Sequence, residues 1–182
     1  MAIDLAKVYK PHSGQEALHA IEAKTKVLTV GRRWGKSRFA LFEGLSRFVE
    51  KMQGPPVSPD LVPPFHMWIV VPSFPQARQV WNEVMQLVRP TGLIGEADKE
   101  NWFFYLNGNV ACKYGLVEIK SAAPQSFESL QTVGLDYLWL CEAQDITEEA
   151  WEKILPVLRS PGRMGYAVIE GIPPLYPDHW FH

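Results

Sequence analysis

The stretch 28-LTVGRRWGKSRFA-40 decides the fold, because it joins a short β-branched run to the first turn of an amphipathic helix through two glycines. Gly35-Lys36-Ser37 is how a phosphate-binding loop closes. The usual spacing G-x-x-x-x-G-K-[ST] places the opening glycine at position 30, where this chain has Val30, and Gly31 comes one place late. The context favours the loop all the same. A strand over Val27 to Val30 leads into it and a helix leaves it at Lys36, so backbone N–H groups and a helix N-terminus converge on one point. Lys36 is then placed to reach the β and γ phosphates of a nucleotide, and Ser37 to bring its hydroxyl to Mg²⁺. A plain glycine turn with a solvated Lys36 is the alternative this stretch leaves open.

The rest of the chain is consistent with one α/β domain. With 182 residues, 47% hydrophobic and 21% charged, it can bury a core of its own and does not have the composition of a disordered chain. No apolar run approaches the ~20 residues needed to span a bilayer, and MAIDLAKVYK lacks the apolar segment of a signal peptide. No membrane partner and a cytoplasmic setting are therefore expected. Cys112 and Cys141 are too few and too isolated for a disulfide framework or a C-x-x-C metal site. The formal net charge of −2 requires any nucleic-acid contact to come from a local basic patch.

Along the chain, Ser13 and Glu16 are spaced as a capping box opening a helix that runs to about Ala23. Beyond the loop, Phe39, Phe42, Leu45, Val49 and Met52 form one helical stripe. Five prolines in 54-GPPVSPDLVPP-64 predict an exposed, flexible connection over 54–65. Then come an apolar strand, 67-MWIVV-71, and a helix over 74–89 with Val80, Val84, Leu87 and Val88 inward. Asn107-Gly108 predicts a two-residue hairpin turn between Trp102 and Lys120. The strand 135-LDYLWLC-141, a helix over 147–159 disturbed by Pro156, and the strand 164-MGYAVIEG-171 complete the order. Repeated β-then-α order predicts a mainly parallel sheet flanked by helices, with an added antiparallel hairpin.

A loop of this kind works with a second strand end that carries a carboxylate for Mg²⁺ and a glutamate that orients the attacking water. In 137-YLWLCEAQDI-146 an apolar strand ends in Cys141-Glu142. Glu142 occupies the place of the catalytic base, whereas Cys141 offers a thiol where a hard ion such as Mg²⁺ prefers oxygen.

With these pieces in order the chain resembles the ATPase domain of large terminase subunits, the motors that package DNA into phage heads. The Walker A form of that family, G-R-R-x-G-K-[ST], is matched by 31-GRRWGKS-37. In the family's order, Tyr9, Pro11 and Gln15 resemble the adenine-recognising segment, and 70-VVPSFPQA-77 resembles the strand end with Pro72 and Gln76. Glu128-Ser129-Leu130 and 134-GLDYLWLCEAQ-144 resemble the approach to Walker B, and 170-EGIPPLYPDHWF-181 the coupling motif, with Gly171, Ile172 and Pro173 at its head. The resemblance implies a RecA-like P-loop NTPase of the additional-strand class and ATP and Mg²⁺ as cofactors. It implies Gln15, Gly31, Arg32, Arg33, Trp34, Gly35, Lys36 and Ser37 around the nucleotide, with Ser37 and Cys141 towards the metal. It further implies double-stranded DNA, a portal protein and a small terminase subunit as partners, a homo-oligomeric ring, and action in the host cytoplasm at the procapsid portal.

Three positions depart from the family pattern. Cys141 stands for the Walker B aspartate and Ile172 for a threonine. Gln131 stands where many members carry an arginine finger for the neighbouring subunit. Arg32 or Arg33 is the substitute within the loop, and both are counted with Glu142 as catalytic candidates. His179 and Trp180 read as a connection rather than as ligands. No cluster of spaced acidic residues follows the coupling segment, so the nuclease domain of such motors is expected to lie outside this chain, with 1–182 as the ATPase portion. A helicase-like remodelling ATPase and a nucleotide-binding module with weak hydrolysis are the competing readings.

Overall fold

The computed structural model describes residues 5–130, 133–176 and 178–181. At its centre the apolar run forms the strand β2 (Phe65–Val71), buried at every position. Phe65, Met67, Ile69 and Val71 enter one apolar cluster, and Trp68 and Val70 another. Successive side chains point to opposite faces, and both faces are covered, so the strand reads as continuous apolar sequence rather than an alternation.

Seven strands form one sheet, in the order β1 (Thr25–Thr29), β7 (Tyr166–Gly171), β6 (Tyr137–Leu140), β2, β5 (Tyr114–Ser121), β4 (Phe103–Asn107) and β3 (Ile94–Asp98). From β1 to β5 every neighbouring pair is parallel, while β4 and β3 add an antiparallel edge. The helices α2 (Lys36–Gln53) and α3 (Phe74–Val88) cover one face, α2 through Phe39, Phe42, Leu45, Phe48 and Met52. On the other face α4 (Glu148–Ile154) and the 3₁₀ turn after it bury Ala150, Ile154 and Val157. Each large side chain withdrawn from water in these layers stabilises the fold by ~1.5–3 kcal/mol. The expected α/β sheet with a hairpin addition is thus the one observed.

Several boundaries differ from the sequence reading. The first helix, α1 (Ser13–His19), is capped by His12, whose Nδ1 accepts from the Gly14 N–H while the Gln15 amide oxygen accepts from the His12 N–H. The box therefore lies one residue earlier than Ser13 and Glu16, and the helix stops before Ala23. A ring nitrogen accepts as a hydroxyl does, which hides the cap from the usual residue rules. β1 is an edge strand that starts two residues before Val27 and buries only Lys26 and Leu28, and Val27 is exposed. Leu87 is only partly buried.

Asn107-Gly108 is not a two-residue turn. Asn107 still pairs with Tyr114, and the connection runs over 108–113. Asn109 folds it, its amide oxygen accepting from the Ala111 and Cys112 N–H groups while its amide nitrogen donates to the Met52 carbonyl. Side-chain mimicry of a backbone turn replaces the tight hairpin. The antiparallel addition also holds β3, which the sequence reading passed over. Pro156 ends α4 as a 3₁₀ turn rather than kinking a longer helix.

Candidate functional site

Parallel strands share their carboxyl ends on one side of a sheet, and ligands of open α/β folds bind in the crevice outside those ends. Here β1 runs out into Gly31, β7 into Ile172, β6 into Cys141 and β2 into Pro72. A cavity of about 550 Å³ opens there, and its wall includes Arg32, Ser37, Pro72, Gln76, Glu142 and Ile172. Residues far apart in the chain thus meet because the sheet order is not the chain order. Glu83, His179 and Pro173 also reach it.

The loop between β1 and α2 is held from beneath. The Gln15 amide nitrogen donates to the carbonyls of Trp34 (3.3 Å) and Gly35 (3.2 Å), and its oxygen accepts from His12. Both ends of this buried amide are engaged with backbone, so Gln15 as it stands braces the loop; pairing with a base would require it to release Trp34 and Gly35. Tyr9 and Pro11 instead border a second hollow of about 370 Å³, with the Tyr9 ring stacked on Phe42. Burial pushes the Tyr9 phenol up to about 12.

Gly35 caps α2 in the left-handed region with φ +88°, and a Cβ there would stand 2.7 Å from the Gln15 amide nitrogen. The left-handed backbone favours glycine, and any side chain here would also displace the Gln15 amide that braces the loop. Arg33 takes a left-handed conformation without that freedom, with φ 66°. Arg32 lines the cavity, whereas Arg33 is exposed and outside its lining. Apart from its chain neighbours, no atom of the described residues lies within 4 Å of where a Cβ on Gly31 would be. Lys36 is buried at 7% exposure, its Nζ donating to the Val30 carbonyl at 3.4 Å and standing 3.9 Å from Glu170 Oε2.

At the end of β6, Glu142 is also left-handed, with φ 51° and ψ 55°. Its Oε2 accepts from the Gln144 amide at 2.9 Å, and the Oε1 of Gln144 accepts from the Ile172 N–H at 3.0 Å. Gln144 thereby ties Glu142 to the segment that Ile172 begins. Gly171 permits this, since a Cβ there would come within 2.3 Å of Gln144 Oε1. The Val30 N–H donates to the Gly171 carbonyl, which closes the link back to the loop. Cys141 is 5% exposed. Burial, then the carboxylates of Glu170 and Glu142, push its thiol well above the ordinary range, so it is a neutral thiol and not a thiolate ligand.

Three contributors escaped the sequence reading. Glu170 is fully buried and held by Trp139, whose Nε1 donates to Oε1 at 3.2 Å. Burial and the Glu142 carboxylate raise it to about 7 against the pull of Lys36. The available signal was one acid ending the apolar run 166-YAVI-169. Gln144 carried no signal, because its role depends on Ile172. His179 lines the cavity while Trp180 stacks on Trp151 and donates to the Ile146 carbonyl, so the 178–181 segment packs against the domain instead of merely leaving it. Gln131 lies outside the described residues.

Oxygen donors fit a nucleotide-bound Mg²⁺ here: the Ser37 hydroxyl and the Glu142 carboxylate face the cavity, and behind its lining the fully buried Glu170 has an oxygen without a hydrogen-bond partner among the described residues. The protonated Cys141 does not fit. Among the described residues no three His, Cys, Asp or Glu side chains group as a metal cage, and no helix is long and apolar enough to cross a membrane.

No protein-family model matches the chain. It is similar to the terminase large subunit of Thermus virus P23-45, 26% identical over 178 residues, which covers 91% of this chain and 34% of that protein. The chain thus spans about a third of the length of that curated relative. Among solved structures it superposes on the large terminase ATPase domain of Thermus phage P74-26 with a TM-score of 0.75, at 24% identity, covering 97% of this chain and 69% of that one. It also superposes on the large terminase of a thermophilic bacteriophage in complex with ADP, with a TM-score of 0.66 at 9% identity, covering 87% of this chain and 38% of that one. The resemblance that 31-GRRWGKS-37 announced is the one these comparisons return: the relatives of this chain are terminase large subunits, and its fold is that of phage large-terminase ATPase domains.

Proposed function

We propose that residues 1–182 form the ATPase domain of a phage large terminase, which hydrolyses ATP to move double-stranded DNA into a procapsid. The observation that carries this reading is the convergence of the Lys36-Ser37 loop, Glu142 and the coupling residues Gly171, Ile172 and Pro173 at the carboxyl ends of neighbouring parallel strands. The open side of Gly31 leaves room for a phosphate chain against the α2 N-terminus. Lys36 turns from the Val30 carbonyl towards the phosphates, and Ser37 directs its hydroxyl to the metal. Bound Mg²⁺ would neutralise charge developing on the phosphate oxygens. Glu142 orients and deprotonates the attacking water, and Arg32, already on the cavity wall, stabilises the transferred phosphoryl group, a role that Arg33, outside the lining, would have to swing inward to share.

The Gln144 link from Glu142 to Ile172 supplies a path by which hydrolysis reaches the coupling segment. The assembly proposed is a ring of such subunits on a portal protein in the host cytoplasm, working with a small terminase subunit. ATP binding and turnover of the chain test the reading. Lys36→Ala should abolish binding, and Glu142→Gln should keep binding while turnover falls by ~10²-fold or more. Binding without turnover in the unaltered chain would favour the nucleotide-binding module instead.

A further inference from the structure

β7 is the last strand in the chain and yet lies between β1, which feeds the phosphate loop, and β6, which carries Cys141 and Glu142. Glu170 pairs with Leu28 on one side, and on the other Ile169 pairs with Leu140, which places Cys141 beside Glu170. Trp139, Cys141 and Val168 pack in the cluster under α2 and α3, so Glu170, two residues beyond Val168, faces the same helix N-terminus. Trp139 fixes one of its oxygens, and the Cys141 thiol interacts with the carboxyl group. The other, Oε2, has no hydrogen-bond partner among the described residues and stands 3.9 Å from Lys36 Nζ.

A fully buried carboxylate with one oxygen unanswered is costly, and an apolar side chain would fill this strand end without that cost. The neighbouring Cys141 offers only a soft sulfur to a hard cation. Adjacent strands are ~4.8 Å apart, so a carboxylate moved one strand sideways stays within a water's reach of the same point.

We infer that Glu170 stands in for the missing Walker B acid: from β7 it holds Lys36 and the water shell of the nucleotide's metal ion, while Cys141 takes no part in holding that ion. This rests on the nucleotide-hydrolysing reading above. Glu170 acts through Lys36 and water, and is a positioning residue.

The test titrates the purified chain with a fluorescent ATP analogue in the presence and absence of Mg²⁺. Glu170→Gln should lose ~10–100-fold of the metal-dependent tightening and change metal-free binding little. Cys141→Ser should leave both affinities as they were. The double variant Cys141→Asp with Glu170→Gln, which moves the carboxylate back to β6, should recover the metal dependence, and it decides the matter if Glu170→Gln alone fails to fold by circular dichroism. Full metal-dependent tightening in Glu170→Gln, or none in the double variant, overturns the assignment of Glu170. An unaltered chain that binds no nucleotide overturns the nucleotide reading itself, which is a different result.

Discussion

Replacing Gln144 by leucine should slow hydrolysis without weakening nucleotide binding. The Gln144 amide donates to Glu142 Oε2 at 2.9 Å and to Asp145 Oδ2 at 3.0 Å, and its oxygen accepts from the Ile172 N–H at 3.0 Å. Leucine keeps the approximate volume and removes all three bonds. Glu142 occupies a left-handed conformation that costs ~1–3 kcal/mol for a residue other than glycine and persists only where its surroundings hold it. A hydrogen bond to a charged group contributes ~1.5–3 kcal/mol. Because Gln144 is only partly buried, the lower end applies, and ~1.5 kcal/mol corresponds to about tenfold in rate.

The assay is steady-state ATP turnover beside a direct measurement of nucleotide affinity. Turnover should fall about tenfold, with the affinity within ~2-fold of the parent, because Gln144 makes none of the bonds that hold the loop between β1 and α2. Turnover equal to the parent's would refute the idea that Gln144 aligns Glu142. A parallel collapse of turnover, affinity and melting temperature would show instead that Gln144 only supports the fold.

Other consequences are open to simple measurement. Asp136, fully buried, accepts from the His66 and Met164 N–H groups and from Lys51 and Arg163; Asp136→Ala strands two cations and should cost ~3–5 kcal/mol in urea unfolding, and a loss below ~1 kcal/mol would contradict it. Burial alone would raise the Glu43 carboxyl, but bonds from His19, Lys26 and Arg47 hold it at about 2. Its folded value is thus below its unfolded one, so its contribution, on the order of 3 kcal/mol, is complete above about pH 4.5 and fades as pH falls towards about 2. Glu43→Gln should therefore flatten the acid limb of a stability-versus-pH curve. Arg32→Ala should reduce turnover more than Arg33→Ala, while Arg33→Gly, freed of its left-handed strain, should raise the melting temperature by a few degrees; equal turnover losses for the two alanine variants would remove the distinction.

What the sequence made legible was whatever is local. The loop 31-GRRWGKS-37, the stripe from Phe39 to Met52 and the apolar run ending in Val71 each carry their meaning within a few neighbouring residues, and each appears where it was expected. Readings failed where a different side chain could perform the same local act. His12 caps a helix in place of Ser13, and Asn109 builds the turn expected of Asn107-Gly108.

The site was legible only along the strands that carry recognised motifs. Cys141 departs from the family pattern when β6 is considered by itself, since an oxygen ligand is expected at that strand end. The sheet does not present β6 by itself: β7, remote in sequence, is inserted between it and β1, and brings Glu170 to the same face. A substitution on one strand can therefore be offset by a residue on its neighbour, provided that both side chains share a face and the register brings them level. Those two conditions are properties of pairing, and no spacing along the chain encodes them. The isolated acid after 166-YAVI-169 was visible from the start, but only the strand order could give it a partner in Lys36.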